Sequence, residues 1–259
     1  MSVVALVPAA GRGERLGLGV AKAFVPVGDR PLLWHAVCGV LAAGCVDVVV
    51  VAAPEPDLDR AADVLTPFGG AVVVVAGGSD RIESVRLALY RADAMLAAVE
   101  AVLVHDAARA LAPPGVFTAV VAAVRAGRDA VVPVLPLVDT VKQVDASGRV
   151  SATVDRTTLR SVQTPQGFAP DVLRRAHAAA LTAAVAAAGG APRAARARAA
   201  GDGVALPAVT DDAGLVEAIG EPVYTVPGHP AAFKITTEFD LALAEMLLAR
   251  AHAGGGQLR

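Results

Sequence analysis

Short apolar runs, rich in valine, recur along the first half of the chain. Both faces of each run are apolar, whereas a strand with one face in water alternates apolar and polar residues. Runs of this kind are typical of parallel strands that are buried between helices. We therefore predict five strands, at residues 3–7, 46–52, 71–75, 101–105 and 130–135.

The stretches between these runs carry apolar residues at helical spacing. Ile82, Val85 and Leu89 fall on one face of such a stretch, and Ser79 stands where an N-cap residue is favoured. Pro31 suits the first position of another helix. We predict helices at residues 31–43, 56–65, 82–95 and 115–125. Alternation of strands and helices favours right-handed βαβ units, and hence an α/β fold with a Rossmann-like, doubly wound, mostly parallel sheet.

The pattern changes after Pro136. Residues 140–144 and 150–154 alternate apolar and polar side chains around a turn, which predicts a projecting β-hairpin. An isolated hairpin is marginally stable in water. We therefore expect this arm, residues 136–160, to pack on a second copy of the chain.

The remainder predicts helices at residues 170–188, 211–219 and 237–251, with a strand at 222–226. Between them, residues 189–203 are rich in Gly, Ala and Arg without an apolar period, which predicts a flexible surface insertion. We expect a single domain over residues 1–250 and a disordered tail over residues 251–259.

Composition restricts the class of protein. Hydrophobic residues make up 55% of the 259 residues, with a mean hydropathy of +0.55, but no apolar run reaches the roughly 18 residues of a membrane span. The apolar start of the chain lacks the basic residues of a signal peptide. A net charge of −2 argues against nucleic acid as the main partner. Cys38 and Cys45 lack C-x-x-C spacing, and we expect both to be reduced in a cytoplasmic protein.

A loop broken by glycines and carrying basic side chains follows the first predicted strand. Residues 8–22 read PAAGRGERLGLGVAK, with positive charge at Arg15 and Lys22. Gly11 and Gly13 let the backbone approach phosphate oxygens closely, and successive N–H groups in such a turn form an anion-binding concavity. We predict that this loop holds a nucleotide triphosphate.

Two other interpretations of the loop stay open. It is close to the dinucleotide fingerprint G-x-G-x-x-G, but Leu16 stands where the third glycine belongs and Gly17 comes one residue late. No acidic residue follows about 20 positions later to bind a ribose hydroxyl. The loop can also be an ordinary turn between a strand and a helix, with charged residues at the surface.

Three further segments carry candidate chemistry. Gly77 and Gly78 precede a predicted helix, where they either admit a flat ligand such as a base or form a tight turn. Asp106 follows the fourth predicted strand, at the sheet edge where ligands of such folds bind; alternatively it caps a helix or pairs with Arg109. Lys234 lies among apolar residues, where its charge needs a partner that an anionic ligand would supply.

Other common active-site patterns are missing from the sequence. It has no Ser-His-Asp order, zinc-ligand spacing or Walker lysine motif. We interpret His105 as a hydrogen-bonded core residue. The remaining histidines have no ligand-type neighbours along the chain and are expected to be structural or at the surface: His35, His177, His229 and His252.

These segments form an ordered series along the chain. The series is AAGRGERL at 9–16, GG at 77–78 with Arg81 and Ser84, VHDAAR at 104–109, DT at 139–140, DR at 155–156, QTPQ at 163–166, TDD at 210–212 and FKIT at 233–236. In this order, the set resembles the 2-C-methyl-D-erythritol 4-phosphate cytidylyltransferase family of the non-mevalonate isoprenoid route. The similarity extends from residue 3 to about residue 250.

The resemblance implies a nucleotidyltransferase domain, a homodimer with interlocking arms, and transfer of CMP from CTP to methylerythritol phosphate with Mg²⁺. It implies catalytic roles for Arg15, Lys22 and Lys234. The implied nucleotide-binding residues are Pro8, Ala9, Ala10, Gly11, Gly13, Gly77, Gly78, Ser84, Asp106 and Ala107. The implied acceptor-binding residues are Asp106, Arg109, Thr164, Thr210 and Lys234, with Thr140 and Arg156 from the second subunit's arm. No side chain is predicted to bind the metal, which phosphates and water would hold.

The implied chemistry suits these residue types. A phosphate monoester dianion is itself a nucleophile, so no general base is needed, and the barrier is the negative charge that cations offset. Three rivals stay open: a ribitol 5-phosphate cytidylyltransferase, a non-catalytic nucleotide-binding module and a nicotinamide-dependent dehydrogenase. The module would keep the glycines without needing the cations, and the misplaced glycine weighs against the dehydrogenase.

Overall fold

An eight-stranded sheet with helices on both faces forms the body of the protein. The computed structural model describes residues 1–11, 20–188 and 210–253. The strands of these residues are β1 (Ser2–Pro8), β2 (Pro26–Val27), β3 (Arg30–Pro31), β4 (Val48–Ala53), β5 (Val72–Ala76), β6 (Val99–Val104), β7 (Ala130–Pro136), β8 (Val141–Val144), β9 (Val150–Val154), β10 (Arg160–Val162), β11 (Gln166–Phe168) and β12 (Tyr224–Pro227). The α-helices are α1 (Leu32–Ala42), α2 (Leu58–Leu65), α3 (Arg81–Met95), α4 (Pro114–Arg125), α5 (Pro170–Ala188), α6 (Asp212–Ala218) and α7 (Glu238–Ala253).

The sheet has the predicted doubly wound, mostly parallel form. Its strand order is β10-β7-β11-β6-β1-β4-β5, with β12 paired to β7. Strand β1 is parallel to both β4 and β6. The chain runs outward from β1 through β4 to β5 and then returns to β6 on the other side of β1. This reversal leaves a crevice at the carboxyl ends of β1 and β6, where ligands bind in open α/β sheets.

Alternate residues of β1 serve two separate cores, as expected for a strand buried on both faces. Val3, Ala5 and Val7 belong to the core under α1 and α4, which is centred on Phe117. Leu6 faces the other core, under α3 and α5. A third, smaller cluster packs α7 against the segment before α1. The five strands predicted from apolar runs are confirmed, with ends displaced by at most two residues.

Several boundaries differ from the sequence-based predictions. The helix predicted from Pro31 begins at Leu32, with Pro31 as its N-cap residue. The last helix continues to Ala253, past its predicted end. Two short antiparallel strands of the main sheet, β10 and β11, were not predicted, because three residues are too few to show a period. The predicted insertion at 189–203 and residues 254–259 of the predicted tail lie outside the described residues.

The predicted hairpin is present as β8 and β9, and among the described strands these two pair only with each other. Its Val144 and Val150 are more than half exposed, at 56% and 53%. The residues that bound the predicted arm, Pro136 and Arg160, both belong to the main sheet, where they pair with each other. Within the described residues, no helix is both long and apolar enough to cross a membrane.

Candidate functional site

A cavity of about 640 Å³ opens at the crevice between the ends of β1 and β6. Three loops at the carboxyl edge of the sheet form most of its wall: the loop after β1, the turn before α3 and the segment after β6. Lys22 and Lys234 also line it, although 212 positions separate them (234 minus 22). Predicted site residues in the wall are Pro8, Ala9, Ala10, Gly11, Lys22, Gly78, Ser84, Asp106, Ala107 and Lys234.

Backbone hydrogen bonds hold the loop after β1 in place. The Ala9 N–H donates to the carbonyl of Ala52 at 2.8 Å, which fixes the start of the loop on β4. The Lys22 N–H donates to the carbonyl of Gly11 at 3.4 Å, so Lys22 stands beside the first described part of the loop. Phe24 is buried two residues later. Gly13, predicted to bind the nucleotide, and Arg15, predicted to be catalytic, lie outside the described residues.

The turn before α3 depends on two glycines for different reasons. A Cβ on Gly77 would lie 2.9 Å from the Cβ of Ala10, so glycine lets this turn pack directly on the loop after β1. Gly78 lines the cavity, whereas Gly77 does not. The Gly78 N–H donates to Ser84 Oγ at 3.0 Å, and that hydroxyl donates to the Asp80 carbonyl at 2.7 Å. Ser84 thereby fixes the backbone that a base would approach.

The N-cap of α3 is Asp80, and our assignment of Ser79 was wrong. The Asp80 carboxylate accepts a 2.8 Å hydrogen bond from the Glu83 N–H. Ser79 lies one residue too early to cap the helix; its N–H and hydroxyl donate instead to the Glu83 carboxylate. The helix therefore begins at Arg81, whose side chain enters the cavity.

Asp106 lies between two cations. Its Oδ1 accepts a 3.0 Å hydrogen bond from Arg81 Nε, and its Oδ2 is 2.8 Å from Lys234 Nζ. Burial raises the pKa of Asp106, but the charges of Arg81 and Lys234 outweigh it and hold the pKa well below its usual range. Asp106 therefore stays ionised. The partner that we expected for Lys234 is this carboxylate, and neither a helix cap nor a pair with Arg109 accounts for Asp106.

A second cavity, of about 270 Å³, adjoins the first. Arg81, Asp106 and Lys234 line both cavities and so form the boundary between them. Besides Asp106 and Lys234, three more residues that the resemblance assigns to acceptor binding line the second cavity: Arg109, Thr164 and Thr210. Both cavities together bring most of the predicted site residues to one place.

Backbone contacts fix the residues of the second cavity. Arg109 Nη1 donates to the carbonyl of Ala232 at 2.8 Å, and burial lowers the pKa of this guanidinium. The Ile235 N–H donates to the carbonyl of Ala108 at 2.9 Å, which places the neighbouring Lys234 beside Asp106. Thr164 Oγ1 accepts a hydrogen bond from the Asp106 N–H at 3.0 Å. The segment after β6 is therefore hydrogen-bonded both to Thr164 and to residues 232–235.

His105 is a core residue, as predicted. It is fully buried, its Nδ1 lies 3.1 Å from Thr164 Oγ1, and its ring packs on Phe117 with centroids 4.8 Å apart. Burial lowers the pKa of His105 to about 4, so the ring is neutral at physiological pH. A neutral ring adds no charge behind Asp106.

Two residues that are predicted to bind the acceptor substrate line neither of the two cavities. Thr140 and Arg156 are exposed, at the two ends of the arm. Their predicted role requires a second subunit and stays a prediction.

Sequence reasoning missed the buried partners of Arg81. Asp212, the last residue of the TDD segment, is fully buried and accepts from Arg81 Nη1 at 2.6 Å. Its other oxygen lies 3.0 Å from Nε2 of His177, a residue for which we expected no such partner. Arg81 and Asp212 are 131 positions apart, so no local pattern could reveal this contact.

The described residues contain no group of three or more His, Cys, Asp or Glu side chains that could hold a metal ion. Asp106 already has both oxygens on cations, and the other carboxylates that line the cavities, Asp80 and Asp211, accept hydrogen bonds from the Glu83 and Gly214 N–H groups. Cationic side chains and backbone N–H groups around a cavity are suited to phosphates.

Comparison with known proteins identifies the family of the chain. The family model described as 2-C-methyl-D-erythritol 4-phosphate cytidylyltransferase matches residues 3–250. The proteins of that name from Saccharopolyspora erythraea and Nocardia farcinica are 55% and 52% identical; each alignment covers 96% of this chain, and 100% and 95% of the relative. The crystal structure of the Thermus thermophilus protein of that name has a TM-score of 0.71 at 35% identity, covering 96% of this chain and 100% of that one. The chain belongs to the 2-C-methyl-D-erythritol 4-phosphate cytidylyltransferase family.

Proposed function

We propose that this protein transfers CMP from CTP to 2-C-methyl-D-erythritol 4-phosphate, giving 4-diphosphocytidyl-2-C-methyl-D-erythritol and pyrophosphate. The observation that carries the proposal is the pair of adjoining cavities with Arg81, Asp106 and Lys234 at their boundary. Two substrates that must react with each other need two such sites with a common edge.

We propose that CTP occupies the larger cavity. Its base would lie against Gly78 and Ser84, and its phosphates would extend toward Gly11 and Lys22. Gly77 would support the base site from behind, and Pro8, Ala9, Ala10 and Ala107 would form its walls. The loop with Gly13 and Arg15 would complete the phosphate site.

The acceptor would occupy the smaller cavity, with its phosphate directed at the boundary. Arg109, Thr164 and Thr210 would contact it there, and Asp106 would accept hydrogen bonds from its hydroxyl groups. We propose that residues 1–250 form one nucleotidyltransferase domain and that the arm joins two copies. Thr140 and Arg156 of each copy would then reach the acceptor site of the other.

In the reaction, an oxygen of the acceptor phosphate forms a bond to the α-phosphorus of CTP while the bond to pyrophosphate breaks. Negative charge spreads over the oxygens of the α-phosphate in the transition state. Lys22, Lys234 and Arg15 would offset this charge without having to reorganise. The nucleophile is already an anion, so no residue has to remove a proton.

We propose that Mg²⁺ enters as part of the substrate, bound to the phosphates of CTP and to water. The charge pattern supports this, because the cavity presents cations to the nucleotide, and Asp106 is already engaged by Arg81 and Lys234. Both cysteines are free, which fits the cytoplasm that we expect for this protein.

The test is pyrophosphate release from CTP with methylerythritol phosphate, with ATP, GTP and UTP as control nucleotides. We expect release with CTP and with this acceptor. Ribitol 5-phosphate, assayed beside it, would give faster release if the acceptor is assigned wrongly. CTP binding without pyrophosphate release with either acceptor would contradict an enzyme and favour a nucleotide-binding module.

A further inference from the structure

A series of contacting polar side chains runs from α5 to the boundary of the two cavities. His177 contacts Asp212, Asp212 contacts Arg81, and Arg81 contacts Asp106, at 3.0, 2.6 and 3.0 Å respectively. Asp106 then contacts Lys234 at 2.8 Å. The proposed function gives a role only to the last two residues of the series.

Asp212 has no direct route to a substrate. Its side chain is fully buried, and it lines neither cavity. A buried carboxylate is strongly unfavourable unless it is paired, and here its partners are Arg81 and His177. Of its two side-chain partners, Arg81 is the one that lines the cavities.

Arg81 joins two carboxylates through different atoms of one planar group. Its Nε bonds Asp106 and its Nη1 bonds Asp212. The guanidinium has a fixed fork geometry, so an anchored Asp212 fixes the direction from which Arg81 meets Asp106. Burial lowers the pKa of Arg81, but the two carboxylates outweigh it and raise the pKa above its ordinary value.

We infer that Asp212 and Arg81 are positioning residues for the transfer step. Asp212 anchors Arg81, Arg81 orients the Asp106 carboxylate, and the second oxygen of Asp106 holds the ammonium of Lys234 at the boundary of the cavities. Arg81 also shares the charge of Asp106, which leaves Lys234 able to attract an incoming phosphate. This inference rests on the proposed function, because it assigns these contacts to the reacting phosphates.

The first test is Asp212→Asn, which keeps the shape of the side chain and removes its charge. We expect kcat to fall about 10²-fold, since a small misplacement of a reacting group has an effect of that order. The affinity for CTP, measured by calorimetry, should change little, because Gly78 and Ser84 do not contact Asp212. Arg174→Gln is the matched control: Arg174 also joins α5 to α3, through Asp93, but lies outside both cavities.

The second test is the titration of the Asp106 carboxyl by carbon NMR, with the resonance identified by its loss in Asp106→Asn. The charged groups around this carboxylate are Arg81, Lys234 and Arg109. In Arg81→Gln a cation is lost while burial remains, so Asp106 should titrate at higher pH. Arg81→Lys keeps the positive charge and should shift the titration of Asp106 less. It should still lower kcat, because an ammonium group lacks the planar geometry with which the guanidinium bonds Asp106 and Asp212.

An unchanged kcat in Asp212→Asn, or an unchanged Asp106 titration in Arg81→Gln, would overturn the inference. Parallel loss of kcat and CTP affinity would also overturn it, because it would assign both residues to folding in general. A wild-type protein without pyrophosphate release would contradict the proposed function instead. The Asp106 titration would still test the Arg81 contact in that case.

Discussion

At the scale of single residues, the position of Lys234 is set by two contacts of different kinds. The neighbouring Ile235 N–H donates to the Ala108 carbonyl, and the ammonium itself pairs with Asp106. The side chain of Lys234 is still 41% exposed, so it can reach an incoming phosphate. A cation that is held but accessible is suited to a site where charge develops during the reaction.

Replacing this cation should affect the reaction far more than the fold. In Lys234→Met we expect kcat to fall by roughly 10²–10³, by analogy with other lost donors to a transition state. Arg15→Ala should have an effect of the same order. Steady-state kinetics of pyrophosphate release measure both effects, with Lys142→Met on the arm as control. Near-normal turnover in either Lys234→Met or Arg15→Ala would contradict the proposed role of that residue.

His105 predicts a pH dependence of stability. Its pKa is lowered to about 4 in the folded protein, whereas an unfolded histidine titrates near 6.5. Between these values the unfolded chain binds more protons, so stability falls as pH falls through this window. We expect a loss of about 2 kcal/mol in the free energy of unfolding from pH 8 to pH 5. Urea unfolding at both pH values should show a smaller loss in His105→Gln; an equal loss would contradict the assignment.

At the scale of elements, close packing of α4 on β11 depends on Gly167. A Cβ at this position would lie 2.3 Å from Val120 Cγ1 and 3.3 Å from Leu103 Cδ2. No side chain fits between the helix and the strand. Glycine at this point is therefore a packing requirement, and its φ angle is not in the left-handed region.

Gly167→Ala should consequently lower the free energy of unfolding by about 1–3 kcal/mol, the usual range for overpacking. Gly115→Ala is the matched control, because a Cβ at Gly115 in α4 would meet nothing within 4 Å. That change should be neutral or stabilising, since alanine favours helix. Denaturant unfolding of the two variants compares them directly, and equal stability would contradict the packing argument.

Strands and helices were predictable where a run or period of apolar residues marks them. They were less predictable where a single contact determines the boundary of an element. Apolar runs identified β1 and β6, since burial on both faces demands a continuous apolar stretch. Strand β11 was missed because its three residues, including Gly167, carry no such run. The predicted N-cap of α3 was one residue too early, because serine and aspartate are both favoured at this position. The geometry of the turn selects Asp80 over Ser79.

At the scale of the whole molecule, the arm is the element least supported by the rest of the chain. Within the part of the chain that the structure describes, β8 and β9 pair only with each other, and Val144 and Val150 are exposed. A two-stranded hairpin is marginal on its own. A second subunit would cover these side chains, which is why we propose the homodimer.

Val144→Asp combined with Val150→Asp should weaken the dimer without unfolding the subunit. We expect sedimentation velocity to show monomers at concentrations where the wild type is dimeric. Val185→Asp is the control, because Val185 is 64% exposed on α5, away from the arm. An unchanged dimer in the double variant, or a monomeric wild type, would contradict the role of the arm.

The site as a whole was predictable only in its local parts. The loop after β1 and the segment after β6 were identified because glycines and charges directly follow buried strands. The pairing of Lys234 with Asp106 was not, because it joins residues that are far apart in the chain and depends on how the segment after β12 crosses the sheet edge. The buried contact between Asp212 and His177 could not be predicted either, because these residues are also far apart in the chain.

The tether between Ile235 and Ala108 has a consequence for synthesis of the protein on the ribosome. Every described strand of the main sheet ends by Pro227, before Lys234 emerges. A nascent chain can thus pair these strands while Asp106 still lacks one of its cations. The charge balance around Asp106 is therefore completed only when the segment after β12 docks on the segment after β6.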